Sequence, residues 1–196
     1  LKQLKKIVIT GRIATGKTSV LKHFKHFGCK VYNSDEMVKG IYKNDNDMFR
    51  LIKKIVPRAI EGKKINMKLL SNFAFKNTLI LTELEKLIHP KLNALRNELI
   101  KKSFFCNIKT VVFEIPLLFE KKIHNEFDII ITTTCNKKLQ KKRYLMRENS
   151  NSEKFDVINN YFLEDSERFK KSHFKINTGL GKNHSIQLVK KIMSLL

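Results

Sequence analysis

Gly11-Arg12-Ile13-Ala14-Thr15-Gly16-Lys17-Thr18 satisfies G-x-x-x-x-G-K-[ST] at every fixed position. This spacing suits the holding of phosphate. Gly11 and Gly16 permit backbone angles that a side chain would block, so successive N–H groups can turn inward around an anion. Lys17, expected to face solvent, would reach the β and γ phosphates of a nucleoside triphosphate, and the Thr18 hydroxyl would ligate Mg²⁺. The bare pattern arises by chance, but its flanks are also right. Ile7-Val8-Ile9 reads as a short buried strand, and Ser19 to Phe24 as the start of a helix with Val20, Leu21 and Phe24 on one side. Strand, glycine-punctuated loop and helix N-terminus together form an anion site.

Three further sets of residues have types suited to phosphoryl transfer. Asp35, at the carboxyl end of a second expected strand, is placed to take a proton from an attacking hydroxyl or, equally, to cap the helix that follows. Glu114 ends an apolar strand and suits either Mg²⁺, directly or through water, or a neighbouring lysine. Gln140, Arg143 and Arg147 fall at i, i+3 and i+7 of one expected helix, where the arginines could close over a nucleotide or form a solvated basic face. His89 reads by itself as a packed or helix-ending histidine.

The elements that must position these groups alternate. Strands are expected at Leu4–Thr10, Cys29–Tyr32, Thr110–Phe113, Phe127–Thr133 and Phe174–Ile176. Between the second and third, residues 36 to 103 show only helical patterns, around Met48–Val56, Met67–Phe75 and Leu79–Ile100, with His89-Pro90 expected to break or kink the last. Asn136 can cap the helix bearing Gln140, residues 149 to 152 read as a turn, and helices are expected over Glu153–Lys171 and Ile186–Leu196. Alternation of this kind predicts an α/β fold with a parallel sheet and right-handed crossovers.

With 196 residues, of which 42% are apolar, the chain suits one compact domain with room for an insertion. No stretch approaches the apolar length that crosses a bilayer, and no signal-peptide core stands at the N-terminus, so no membrane role is expected. Cys29, Cys106 and Cys135 lack C-x-x-C spacing, which argues against disulfides and zinc and for a reducing cytoplasm. The formal charge of +22 raises nucleic-acid binding. The lysines are spread along the whole chain in pairs, without a dense block or interleaved aromatics, so no specific nucleic-acid partner is expected. Such a surface still draws in small polyanions.

Taken together, these pieces resemble the dephospho-CoA kinase family over essentially the whole chain. The resemblance rests on the Gly11–Thr18 loop, Asp35 in Val31-Tyr32-Asn33-Ser34-Asp35, and Leu84-Glu85-Lys86-Leu87-Ile88-His89-Pro90. It extends to Pro116-Leu117-Leu118-Phe119-Glu120, the Gln140/Arg143/Arg147 stripe and Asn177-Thr178-Gly179. It implies a single three-layer P-loop NTPase domain with its core at 1–35, 104–136 and 172–196, a helical acceptor-binding insertion at about 36–103, and a helical lid at about 137–171.

The implied reaction moves the ATP γ-phosphate to the ribose 3′-hydroxyl of dephospho-CoA, with Mg²⁺. Asp35, Lys17 and Arg143 would be catalytic. Gly11, Arg12, Ile13, Ala14, Thr15, Gly16, Lys17, Thr18, Ser19, Arg147, Asn177 and Gly179 would bind the nucleotide. Asp35, His89, Pro116, Leu117 and Leu118 would line the acceptor site, with Thr18 and Glu114 holding the metal. ATP and dephospho-CoA are the implied partners, and a monomer is expected. The chain departs from the family pattern at Asn33, where an Asp is usual, at Ala14 and Thr15, which replace Gly-Ser, and at Ile176, which replaces an acid. The rivals are another small P-loop nucleoside or nucleotide kinase and a basic nucleic-acid-binding ATPase.

Overall fold

The computed structural model describes residues 4–147 and 150–196. They divide into two compact units, one comprising the chain up to Asn33 together with Ser103–Leu196, the other Ser34–Lys102.

The first unit is built on five parallel strands: β1 (Lys5–Thr10), β2 (Lys30–Asn33), β5 (Thr110–Glu114), β6 (Ile129–Thr134) and β7 (Phe174–Asn177). Their spatial order is β2-β5-β1-β6-β7, so β1 lies at the centre. Central strands buried on both faces favour apolar runs, and Ile7, Val8 and Ile9 of β1 and Val111 and Val112 of β5 are all fully buried. Helices α1 (Lys17–His26) and α9 (Lys182–Ser194) pack together, and their Val20, Leu21, Phe24, Val189 and Ile192 meet Ile7, Ile9, Val112, Ile131 and Ile176 of the sheet. Phe113 stacks on Tyr32 and meets Phe127 edge-on.

The second unit contains α2 (Ser34–Asn44), α3 (Asn46–Ile55), α4 (Met67–Lys76) and most of α5 (Thr78–Phe105). Its core gathers Ile41, Tyr42, Met48, Ile52, Val56, Leu70, Leu84 and Ile88. Asp45 caps α3 by accepting from Met48 N, and its carboxylate is paired with Lys91. Both contacts, the Lys91 hydrogen bond foremost, hold its carboxyl below the ordinary value.

Four expectations need correction. The segment from 36 to 103 holds a hairpin of two short strands, β3 (Ile60–Glu61) and β4 (Lys64–Ile65), turned at Gly62 with φ +60°. Two-residue strands are too short to show a periodicity. Of the break or kink expected at His89-Pro90, the break does not occur, and helix α5 continues through Pro90. The missing N–H removes one rung, but Leu84 and Ile88 before the proline and Leu92 and Leu95 after it pack in the same core. Asp35 lies in the first turn of α2 rather than on the strand end.

The helix expected over 153–171 is two, α7 (Ser152–Asn160) and α8 (Asp165–Lys170). Backbone groups between them are bonded elsewhere: Leu163 N donates to Glu120 Oε1 at 2.8 Å, and Leu163 O accepts from Arg12. The turn expected at 149–152 falls partly outside the described residues.

Candidate active site

The phosphate-binding loop leaves the central strand and is walled by parts of the chain far away in sequence. Gly11 has φ +149°, and a Cβ there would lie 2.4 Å from Thr133 Oγ1. Gly16 has φ +87°, and a Cβ would lie 2.9 Å from Thr178 Oγ1. Both glycines are therefore required by conformation and by space. Between them Ala14 takes φ +58°, which costs a residue with a Cβ about 1–2 kcal/mol. Packing of Ala14 against Tyr144 and Phe155 holds it there. Thr15 Oγ1 donates to Arg12 O at 2.8 Å and shares a hydrogen with Thr133 Oγ1.

Lys17, expected in solvent, is buried instead. Its ammonium folds back on the loop, donating to Gly11 O at 3.0 Å and Arg12 O at 2.9 Å. Carbonyls are the ready acceptors for a cation at the neck of the loop. Thr18 and Ser19 are exposed at the start of α1, whose N-terminus has no side-chain cap.

Beside the loop, the Thr18 hydroxyl donates to Glu114 Oε1 at 3.0 Å. Glu114 is 5% exposed at the end of β5, and its Oε2 accepts from Asn33 Nδ2 at 2.6 Å. Two hard oxygen donors on neighbouring residues are what Mg²⁺ takes from a protein when phosphates and water complete its shell. Among the described residues no group of three or more His, Cys, Asp or Glu could cage a metal alone.

Helices α6 (Lys137–Leu145) and α7 lie over the loop. Asn136 caps α6 by accepting from Leu139 N. Gln140 Nε2 donates to Ile13 O at 2.8 Å and to Asn159 Oδ1 at 3.2 Å. Arg143 donates through Nη1 to Thr178 Oγ1 at 2.8 Å and through Nη2 to Thr178 O at 3.1 Å. The Thr178 hydroxyl in turn donates to Thr15 O at 2.8 Å. Arg147 lies past the end of α6 and is exposed. The three stripe residues therefore split: Gln140 goes to the loop, Arg143 to Thr178 and Arg147 to solvent.

A second clasp runs from α8. Arg12 pairs with Asp165 at 2.9 Å and Glu164 at 3.3 Å. Arg168 has no exposed surface and donates through Nη2 to Thr10 Oγ1 at 3.0 Å, just before Gly11. Its Nη1 lies 3.7 Å from Glu120 Oε1, and its guanidinium sits over the rings of Phe119 and Phe162. Burial lowers the Arg168 pKa, which Glu120 and Asp165 partly restore. Pro116 O accepts from Thr10 Oγ1 at 3.0 Å, Leu117 is half-buried, and Leu118 is a fully buried core residue. Asn177 Oδ1 accepts from Gly179 N at 2.9 Å, closing the turn around Thr178.

Asp35, exposed on α2, and His89, half-buried on α5, belong to the helical unit. Sequence reasoning passed over Thr178, which it quoted only as the variable residue of N-x-G, and the Arg12 and Arg168 clasps. The one signal for the Arg168 clasp was the placing of Glu120 directly after an apolar run.

A central parallel strand, a glycine-walled loop and an uncapped helix N-terminus define a P-loop phosphotransferase fold. A crystal structure of a Thermus thermophilus protein matches with a TM-score of 0.84 at 21% identity, covering 100% of this chain and 99% of that one. A dephospho-CoA kinase structure from Campylobacter jejuni matches with a TM-score of 0.72 at 24% identity, covering 98% and 96%. In sequence, a family model described as dephospho-CoA kinase matches residues 6–182. A Bartonella quintana protein named dephospho-CoA kinase is 34% identical over 97% of both chains. The chain belongs to the dephospho-CoA kinase family.

Proposed function

We propose that this chain transfers the γ-phosphoryl group of ATP to the ribose 3′-hydroxyl of dephospho-CoA, giving CoA and ADP. The observation that carries the reading is the Thr18–Glu114 pair at the mouth of a loop whose glycines leave no room for side chains. Family membership names the acceptor. Loop N–H groups and the α1 N-terminus hold the β and γ phosphates. Lys17 exchanges the Gly11 and Arg12 carbonyls for phosphate oxygens. Thr18 and Glu114 hold Mg²⁺, which when bound neutralises charge on the β and γ oxygens.

The family resemblance assigns the acceptor to His89, Pro116 and Leu117. Leu118 supports that turn from beneath. Asp35 takes the proton as the 3′-oxygen bonds to the γ-phosphorus and the bond to the β-bridging oxygen breaks, releasing ADP. Arg143, released from Thr178, moves its fork to the transferring group. Asn177 and Gly179 flank the adenine, and Arg147 closes from the lid. The three cysteines are free thiols, which suits a reducing cytoplasm.

The test is ADP release by the purified chain with dephospho-CoA and with nucleoside monophosphates as acceptors. Release with a monophosphate and none with dephospho-CoA would overturn the acceptor assignment. Asp35→Asn keeps the shape of the side chain but removes its basicity. Turnover should drop roughly 10²- to 10⁴-fold with ATP affinity near normal. Unchanged turnover would show that Asp35 takes no part in proton transfer.

A further inference from the structure

We infer that Asn33 is a positioning residue for the metal-binding carboxylate, so that the end of β2 sets how tightly the nucleotide's Mg²⁺ is held. The inference rests on the assignment of Thr18 and Glu114 made above. β2 and β5 run parallel with Asn33 in register with Glu114, which brings the two side chains together at the carboxyl edge of the sheet. The Asn33 amide donates to Glu114 Oε2 at 2.6 Å, while Glu114 Oε1 accepts from Thr18 at 3.0 Å. The two carboxylate oxygens are thus divided between an outer partner and the loop.

A carboxylate held at one oxygen cannot swing its other oxygen away from Thr18, and 5% exposure leaves little water to compete. An amide is the right group for this, because it donates a hydrogen bond without adding charge. The aspartate usual in the family at this position could not donate while ionised, and would set a second negative charge against Glu114. Asn33 therefore fixes the direction of the Glu114 carboxylate without adding charge. Partners of this outer kind typically govern metal affinity by roughly 10- to 100-fold.

The test uses the full chain with a fluorescent, non-hydrolysable ATP analogue, titrating Mg²⁺ and following Mn²⁺ by paramagnetic resonance. Asn33→Ala and Asn33→Leu should each raise the metal concentration at half-saturation by on the order of tenfold or more. Affinity for the analogue without metal should stay at the wild-type value in at least one of them, which also reports an intact loop. Glu114→Gln should lose at least as much metal affinity, and adding either Asn33 change to it should cost little more.

Wild-type half-saturation in a folded Asn33 variant, with Glu114→Gln still impaired, would refute the positioning role and leave the metal assignment standing. Wild-type half-saturation in Glu114→Gln would refute the metal assignment itself, and this inference with it. Additive losses in the double variants would show that Asn33 acts apart from Glu114, and loss of metal-free binding in both Asn33 variants would show a structural role; either refutes the inference.

Discussion

Glu120→Gln removes the first of two carboxylates, Glu120 and Asp165, that offset a cation with no access to water. The substitution keeps the size of the side chain and an oxygen able to accept from Leu163 N, so what disappears is the negative charge 3.7 Å from Arg168 Nη1. Leaving one member of a buried pair without its partner costs about 3–5 kcal/mol. The Nη1–Oε1 separation exceeds a hydrogen bond and the Glu120 side chain retains 15% exposure, which puts the loss at the lower end, about 3 kcal/mol. For a chain of this size that corresponds to roughly 6–12 °C in melting temperature.

Thermal melts followed by circular dichroism at neutral pH, with urea titrations beside them, would measure it. Adding Arg168→Met to Glu120→Gln should return part of the loss, because an apolar side chain of similar length needs no counterion. A Glu120→Gln melt within about 2 °C of wild type, or a double variant weaker than the single one, would refute the reasoning.

Three other outcomes are expected. Thr178→Val keeps the volume but removes the hydroxyl linking Thr15 O to Arg143, so ATP should bind roughly 5- to 30-fold more weakly; unchanged affinity by calorimetry would reduce Thr178 to a space-filler. Arg143→Lys cannot reproduce the two-pronged contact of the guanidinium, so turnover at saturating ATP should fall about tenfold or more, and wild-type kinetics would leave Arg143 without a part in the reaction. Asp45, held below its ordinary value of 3.8, stabilises the helical unit above that pH and loses the contribution as pH falls through its lower folded value. Asp45→Asn keeps the α3 cap but should flatten the acid limb of stability in urea titrations, and superimposable pH profiles would contradict the sign.

What the sequence disclosed was what neighbours along the chain determine. The loop pattern, its strand and its helix are contiguous, and apolar runs marked all five sheet strands to within a residue or two at most ends. Glu114 could be found because it ends such a run. Asn33 against Glu114 depends on register between strands, and Thr178 against Thr15 spans most of the chain. No local pattern reports either. Lys17 was misjudged because the type of a residue says nothing of which carbonyls surround it. The break allowed at Pro90 does not occur because the packing of α5 outweighs one missing backbone bond, and the break between α7 and α8 was missed because Leu163 is held by Glu120 and Arg12 rather than by a helix-breaking residue.

The walls around Gly11 and Gly16 bear on how the protein is made. Residues 11–18 leave the ribosome before their partners: β1 waits for Thr110–Glu114 and Ile129–Thr134, and the loop glycines are walled by Thr133 and Thr178. Ser34–Lys102, by contrast, is an uninterrupted segment of helices and one short hairpin, and local contacts of that kind form fastest. The helical segment can therefore mature while the chain is still growing, whereas the phosphate loop is completed only once Thr178 has been made. A chain stalled before Thr178 lacks the residue that walls Gly16, bonds Thr15 O and accepts from Arg143, so its phosphate loop is left without that support.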